Sequence, residues 1–106
     1  MGTTFSMELV YGILVDADDF PDFDIEDYWD NKWPAGVVTV DSYYREETFG
    51  YVLTHKTGKQ SHYGVYPQVV TALPVLTPDA RIEVDSVADT YGIPKVYDTY
   101  IVGSLG

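Results

Sequence analysis

The residues best equipped for chemistry are two histidines, His55 and His62, and a run of carboxylates between Asp16 and Asp30. Imidazole serves as a general base, a proton shuttle or a metal ligand. If Gly58-Lys59 is a two-residue turn, with glycine first as a type II′ turn prefers, His55 stands opposite His62, Leu53 opposite Gly64 and Tyr51 opposite Tyr66. That register gathers Tyr51, His55, His62 and Tyr66 around one pocket, the mark of a small-ligand binder or weak enzyme. Both histidines would then lie near a hairpin tip, where exposure is the norm, and a metal held by two ligands is incomplete without a third. Ordinary hairpin residues are the leading expectation.

The carboxylates invite a calcium reading through Asp16, Asp18, Asp22 and Asp24. An EF-hand loop starting at Asp16 needs an acid or amide where Phe20 stands and glycine where Pro21 stands, so the match fails. No metal site is expected. A P-loop, a dinucleotide-binding glycine fingerprint, G-x-S-x-G and H-E-x-x-H are all missing, so no cofactor and no catalytic residue is expected, and the chain reads as non-enzymatic.

Charge says more about partners. The 106 residues carry 17 acids against 6 lysines and arginines, a formal charge of −11. Eight of the acids fall between Asp16 and Asp30, and no basic residue precedes Lys32. Nucleic-acid binding draws most of its affinity from Lys and Arg, so direct binding to nucleic acid is disfavoured and a basic protein surface is the expected complement. Asp18, Asp19, Asp22, Asp24, Glu26, Asp27 and Asp30 form the candidate partner-binding face. Asp79, Glu83, Asp85 and Asp89 would extend it toward mimicry of nucleic acid, if a second helix lies on the same side of the sheet. Phe20, Phe23, Tyr28, Trp29 and Trp33, interleaved with the acids, are residues that a disordered acidic tail lacks, so the segment is expected to fold.

Length and a hydrophobic content of 45% fit one domain over residues 1–106 with a small core. Cysteine is absent, which suits a reducing compartment such as the cytoplasm. No apolar run nears the roughly 20 residues of a membrane span, and no basic stretch opens a signal peptide, so no membrane role is expected.

The elements that must position these groups follow from patterning. Met7 to Val15 is apolar on both alternating faces, as in a central strand covered on both sides. After Pro21, Asp22 or Asp24 can cap a helix starting near Ile25, with Ile25, Tyr28, Trp29 and Trp33 as its core stripe and Pro34 and Gly36 as its stop. Val37 to Tyr44 and Phe49 to Thr54 read as strands joined by Arg45-Glu46-Glu47, and a further hairpin strand follows. Pro67 and Pro74 confine Gln68 to Leu76 to an edge strand or extended connection. Thr77-Pro78 starts a second helix, expected to bury Ile82, Val84, Val87, Ala88 and Tyr91 and to end at Gly92. Val96 to Val102 closes the chain as a strand. The order predicts an α+β domain with a four- to five-stranded, mostly antiparallel sheet and two helices on one face, the split βαβ or ferredoxin-like plan with an extra strand. Ten tyrosines exceed what so small a core can hold, and Tyr43, Tyr44, Tyr63 and Tyr66 would suit a homodimer or partner face.

Two resemblances attach to these residues. His55-x-Thr57 resembles the tripeptide that two-histidine phosphoesterases carry twice, but Tyr63-Gly64 follow His62 and no second copy exists. The Tyr11-Gly12-Ile13 strand leading into DADDFPDF and a Tyr-Trp helix, with the ending at Tyr91-Gly92-Ile93-Pro94 and YDTYIVGSLG, resembles small acidic proteins encoded by bacteriophages. The resemblance implies a viral accessory role in the host cytoplasm, against host defence, and brings no catalytic residues.

Overall fold

The computed structural model describes residues 5–16, 18–44, 47–63 and 72–105. In chain order they form β1 (Phe5–Val15), α1 (Ile25–Trp29), β2 (Val37–Tyr44), β3 (Glu47–His55), β4 (Lys59–Tyr63), α2 (Pro78–Tyr91) and β5 (Tyr97–Leu105). One edge of β1 pairs with β5 from Phe5 to Ile13, and β3 joins its other edge and carries β2 outward. All these pairs are antiparallel, giving β5-β1-β3-β2, the strand order of the expected split βαβ plan. Beyond a bulge between Ser42 and Tyr43, β2 meets the end of β5 in parallel register, Tyr43 with Ser104 and Tyr44 with Leu105, and the sheet curls closed.

The alternating side chains of the curled sheet divide the core into two layers. Ile13, Val15, Val37 and Leu53 face the helices and meet Val84, Val87 and Ala88 of α2 together with Trp33 and Ile93. The opposite face turns Val10, Val40, Val52 and Val102 onto one another inside the curl. These four valines have no helix against them and are still buried, because the curl itself covers them. Full burial of such a side chain is worth about 1.5–3 kcal/mol.

The extra strand differs from the sequence expectation. β4 does not fold back on β3 as a hairpin: it continues in the same direction along the same edge of β1. Leu53 lies opposite Ile13 and Lys59 opposite Val10, so three residues of β1 are matched by six on its neighbour, and the surplus loops out at Lys56-Thr57-Gly58. Gly58 N–H donates to His55 O at 2.7 Å, which makes a tight turn, but Gly58 has no positive φ and a type II′ turn needs one. Its glycine is needed for close approach. A Cβ on Gly58 would come within 2.6 Å of Leu76 Cδ2 and Thr54 Oγ1, and one on Gly12 within 2.3 Å of the Leu53 carbonyl oxygen. The loop is tied back where Tyr11 N–H donates to Gly58 O and where Thr54 Oγ1 donates to Tyr11 O at 2.6 Å.

Helix ends explain two further differences. α1 stops at Trp29, because Asn31 takes a left-handed φ of 59° and the N–H groups of Asn31 and Lys32 close back on Tyr28 O and Asp27 O. α2 ends the same way at Gly92, φ 69°, with Ile93 N–H on Ala88 O and the Ile93 side chain buried. Its buried stripe is Ala80, Val84, Val87 and Ala88. Ile82 is exposed, since two residues of helix turn it some 200° from Ala80 and Val84 alike. Ala72 to Thr77 are not a strand, which leaves the extended connection of the two expectations there, and residues 64–71, which include 68–71 of the expected edge segment, lie outside the described residues, as does the Arg45-Glu46 turn. Among the described residues no helix is long and apolar enough to cross a membrane.

The crowding at Gly12 yields a contrast test. Gly12→Ala should lower unfolding stability in urea by about 1–3 kcal/mol or more through overpacking against backbone. Gly103→Ala, whose Cβ would meet nothing within 4 Å, should change it by less than about 0.5 kcal/mol.

Candidate functional site in the acidic aromatic segment

The segment between β1 and β2 is held by polar turns along its length. Asp16 Oδ1 accepts from Asp18 N–H at 2.9 Å, and Asp16 O accepts from the N–H groups of Asp19 and Phe20. Asp24, one of the two residues expected as a cap, fills that role: its Oδ1 accepts from Glu26 N–H at 2.9 Å.

Aromatic rings then fasten the segment to the core. Phe23 lies 5.2 Å from the Tyr91 ring, 5.6 Å from Tyr51 and 5.7 Å from Trp33, all tilted or edge-on, which suits the ring quadrupoles. Tyr28 packs on Trp33 at 5.5 Å. A polar chain runs through the same cluster. Trp33 Nε1 donates to Tyr91 Oη at 3.0 Å, Tyr91 donates to Asp27 Oδ2 at 2.5 Å, and Lys32 Nζ lies 3.4 Å from Asp27 Oδ1. The Tyr91 hydrogen bond, helped by Lys32, holds the Asp27 carboxyl below its usual range, and burial together with Asp27 pushes the Tyr91 hydroxyl up to about 12.

The seven candidate partner-binding acids thus separate. Asp18, Asp19, Asp22, Glu26 and Asp30 are exposed, and Asp24 is exposed while capping α1. Asp27 is committed to Tyr91 and Lys32. Trp29, expected in the core stripe, is 70% exposed: after five helical residues the chain turns away, and of the two tryptophans it is Trp33 that is buried in the core. Both helices pack on the same apolar layer, but the α2 acids are largely occupied. Asp85 accepts from Tyr97 Oη at 2.6 Å, Glu83 pairs with His55, and Asp89 pairs with Lys95 at 2.8 Å. Asp79 is exposed at the first turn of α2.

The expected pocket of Tyr51, His55, His62 and Tyr66 is not assembled. Tyr66 lies outside the described residues, and His62 stands opposite Met7 on β4, far along β1 from the Ile13–Leu53 pair. Tyr51 packs in the aromatic cluster. His55 turns toward α2: Nε2 lies 3.2 Å from Glu83 Oε2, and Nδ1 lies 3.0 Å from Thr57 Oγ1. Tyr43, Tyr44 and Tyr63 are placed here only as strand residues. A groove of about 260 Å³ does exist on the other sheet face, lined by Leu14, Val40, Val52, Tyr100 and Val102, which sequence reasoning missed because the curl creates it. Among the described residues no group of three or more His, Asp or Glu could hold a metal ion.

No family model matches the chain, and neither does any curated protein or solved structure.

Two partly exposed acids, Asp27 and Asp41, give opposite responses to pH. Asp27, lowered in the fold, contributes stability that is present above about pH 4 and lost as pH falls through its folded value. Asp41, raised by burial on β2 with its Oδ1 unpartnered, favours the fold only at low pH and loses that contribution as pH rises through its folded value. Tyr91→Phe should therefore cost about 1 kcal/mol through its hydrogen bond with Trp33 and make the acid loss shallower. Asp41→Asn should raise the melting midpoint at pH 7 and leave it nearly unchanged at pH 3. Thermal melts across pH 3–8 check both.

Proposed function

We propose that this chain is a non-enzymatic binding protein whose acidic segment engages a basic surface on another protein. The observation that carries the reading is the pairing of anchored rings beneath with free charge above. Phe23, Tyr28 and Trp33 hold the segment on the core, while Asp18, Asp19, Asp22, Glu26 and Asp30 are exposed along the same segment as an indole, Trp29, that is 70% exposed. A segment already ordered loses little conformational entropy on binding. Exposed tryptophan beside carboxylates suits arginine in particular, whose guanidinium can sit on the ring and pair with an acid together. Because Glu83 and Asp85 are engaged inside the fold, the reading favours a compact arginine-bearing patch over a long nucleic-acid mimic. The likeness to phage-encoded acidic proteins supports a host protein as that partner.

Asp19→Asn, Asp22→Asn, Glu26→Gln and Asp30→Asn combined should melt like the parent or slightly higher, since clustered carboxylates repel. Asp27 is spared because it holds Tyr91. In pull-downs from bacterial lysate, a partner captured by the parent at low salt should be lost from this variant and from Trp29→Ala, and capture should weaken steeply between low and high salt. Equal capture by the neutralised variant, or capture indifferent to salt, would refute the reading.

A further inference from the structure

We propose that Thr57 is an activated hydroxyl and a site of self-acylation by small anionic acyl donors such as acyl phosphates. This does not rest on the binding role of the acidic segment, because Glu83 and Tyr91, which mark the two places on α2, are about 12 Å apart along the helix.

Three groups stand in series. Thr57 Oγ1 lies 3.0 Å from His55 Nδ1, and His55 Nε2 lies 3.2 Å from Glu83 Oε2. The backbone and Glu83 favour the same tautomer. Thr57 N–H also points at Nδ1, at 3.4 Å, and an N–H can only donate, so Nδ1 is the accepting nitrogen and Nε2 carries the proton toward Glu83. The Thr57 hydroxyl therefore donates to an unprotonated ring nitrogen, the arrangement of a nucleophile beside its base with a third group orienting the base. The imidazole is held in place: its side chain is 12% exposed and lies against Gly36, where a Cβ would come within 2.0 Å of Nε2. Thr57 itself is exposed, at the outlooped turn between β3 and β4.

The surroundings select the donor. Lys56 and Lys59 flank the turn, both exposed, two of the six basic residues in a chain of charge −11. Two cations within two residues of Thr57 favour an anionic leaving group such as phosphate. In the step, Thr57 Oγ1 attacks the acyl carbonyl carbon and forms an ester bond while its proton passes to Nδ1. The bond from the carbonyl carbon to the phosphate oxygen breaks, phosphate leaves with the electron pair, and the proton on Nδ1 returns to it. Glu83 is the positioning residue, beside the imidazolium that forms. The nearby N–H groups of Lys56 and Gly58 are already bonded to Gly36 O and His55 O, so the turn has no ready oxyanion donors there; an activated acyl phosphate reacts without them, whereas the less reactive alkyl ester is hydrolysed slowly and accumulates.

The full chain treated with acetyl phosphate, and in parallel with p-nitrophenyl acetate, is digested and mapped by mass spectrometry, with acetylation of Lys56 and Lys59 as the internal measure of uncatalysed reaction. Acetyl is expected on Thr57, retained in Thr57→Ser and slowed on the order of 10²-fold in His55→Gln. Glu83→Gln should slow it about tenfold or more at an unchanged melting midpoint, with imidazole nitrogen chemical shifts showing a smaller share of the Nε2–H tautomer, which the Thr57 N–H still favours. Acetyl confined to lysines in the parent protein would overturn the proposal. So would equal labelling of Thr57 in the parent, His55→Gln and Glu83→Gln; Glu83→Gln alters a half-exposed group and keeps the test available if His55→Gln fails to fold.

Discussion

The rest of the structure depends on the sharing of one edge of β1 between two segments of chain. β3 occupies the end near Ile13 to Val15, β4 the end near Ser6 to Val10, and the join between them has more residues than β1 can match. Gly12 admits the Leu53 carbonyl, Thr54 supplies a hydroxyl to the Tyr11 carbonyl, and Gly58 folds under Leu76. A buried carbonyl without a partner is costly, which is why a hydroxyl, not a methyl, belongs at position 54. The surplus residues leave the sheet as the Lys56-Thr57-Gly58 turn. That turn lets the His55 side chain lie against Gly36 and reach α2.

Curling is the second consequence of a small sheet with little to cover it. The helices lie on one face only, so the valines of the other face are buried by the sheet bending until β2 meets β5. The helical face is closed by aromatic residues from three parts of the chain: Phe23, Tyr28 and Trp33 before β2, Tyr51 in β3, and Tyr91 at the end of α2. The polar tips of Trp33 and Tyr91 are satisfied because Trp33 donates to Tyr91 and Tyr91 donates to Asp27. A similar solution appears at Tyr97, which packs against the same core cluster. Tyr97 stacks on Tyr11 at 5.6 Å, takes the Arg81 guanidinium over its ring at 4.2 Å and donates to Asp85. Burial and Asp85 push its hydroxyl well above the ordinary range.

These pairings change what the acidity of the chain means. Carboxylates counted from composition look interchangeable, yet Asp27 and Asp85 accept tyrosine hydroxyls, Asp24 caps a helix and Glu83 faces an imidazole. Asp18, Asp19, Asp22, Glu26 and Asp30 are exposed in the segment that carries Trp29. Structural use and exposure are thus divided residue by residue within one charged run.

Local signals in the sequence determined the central apolar strand, the α2 boundaries from Thr77 to Gly92, the β2–β3 pairing and the α+β order. Each rests on residues that act within a few positions of themselves: a capping hydroxyl, a proline at a first turn, a left-handed glycine, alternation along a strand. Tertiary structure alone decided which edge β4 joins, since Gly58 is as suitable for a close approach as for a hairpin turn and only the neighbours Leu76 and Thr54 choose between them. It decided that Asn31 ends α1 early, turning Trp29 outward and Trp33 inward. It decided the meeting of Asp27 with Tyr91, 64 residues apart, and of His55 with Glu83, because side-chain pairing across elements depends on packing angles that no local pattern encodes.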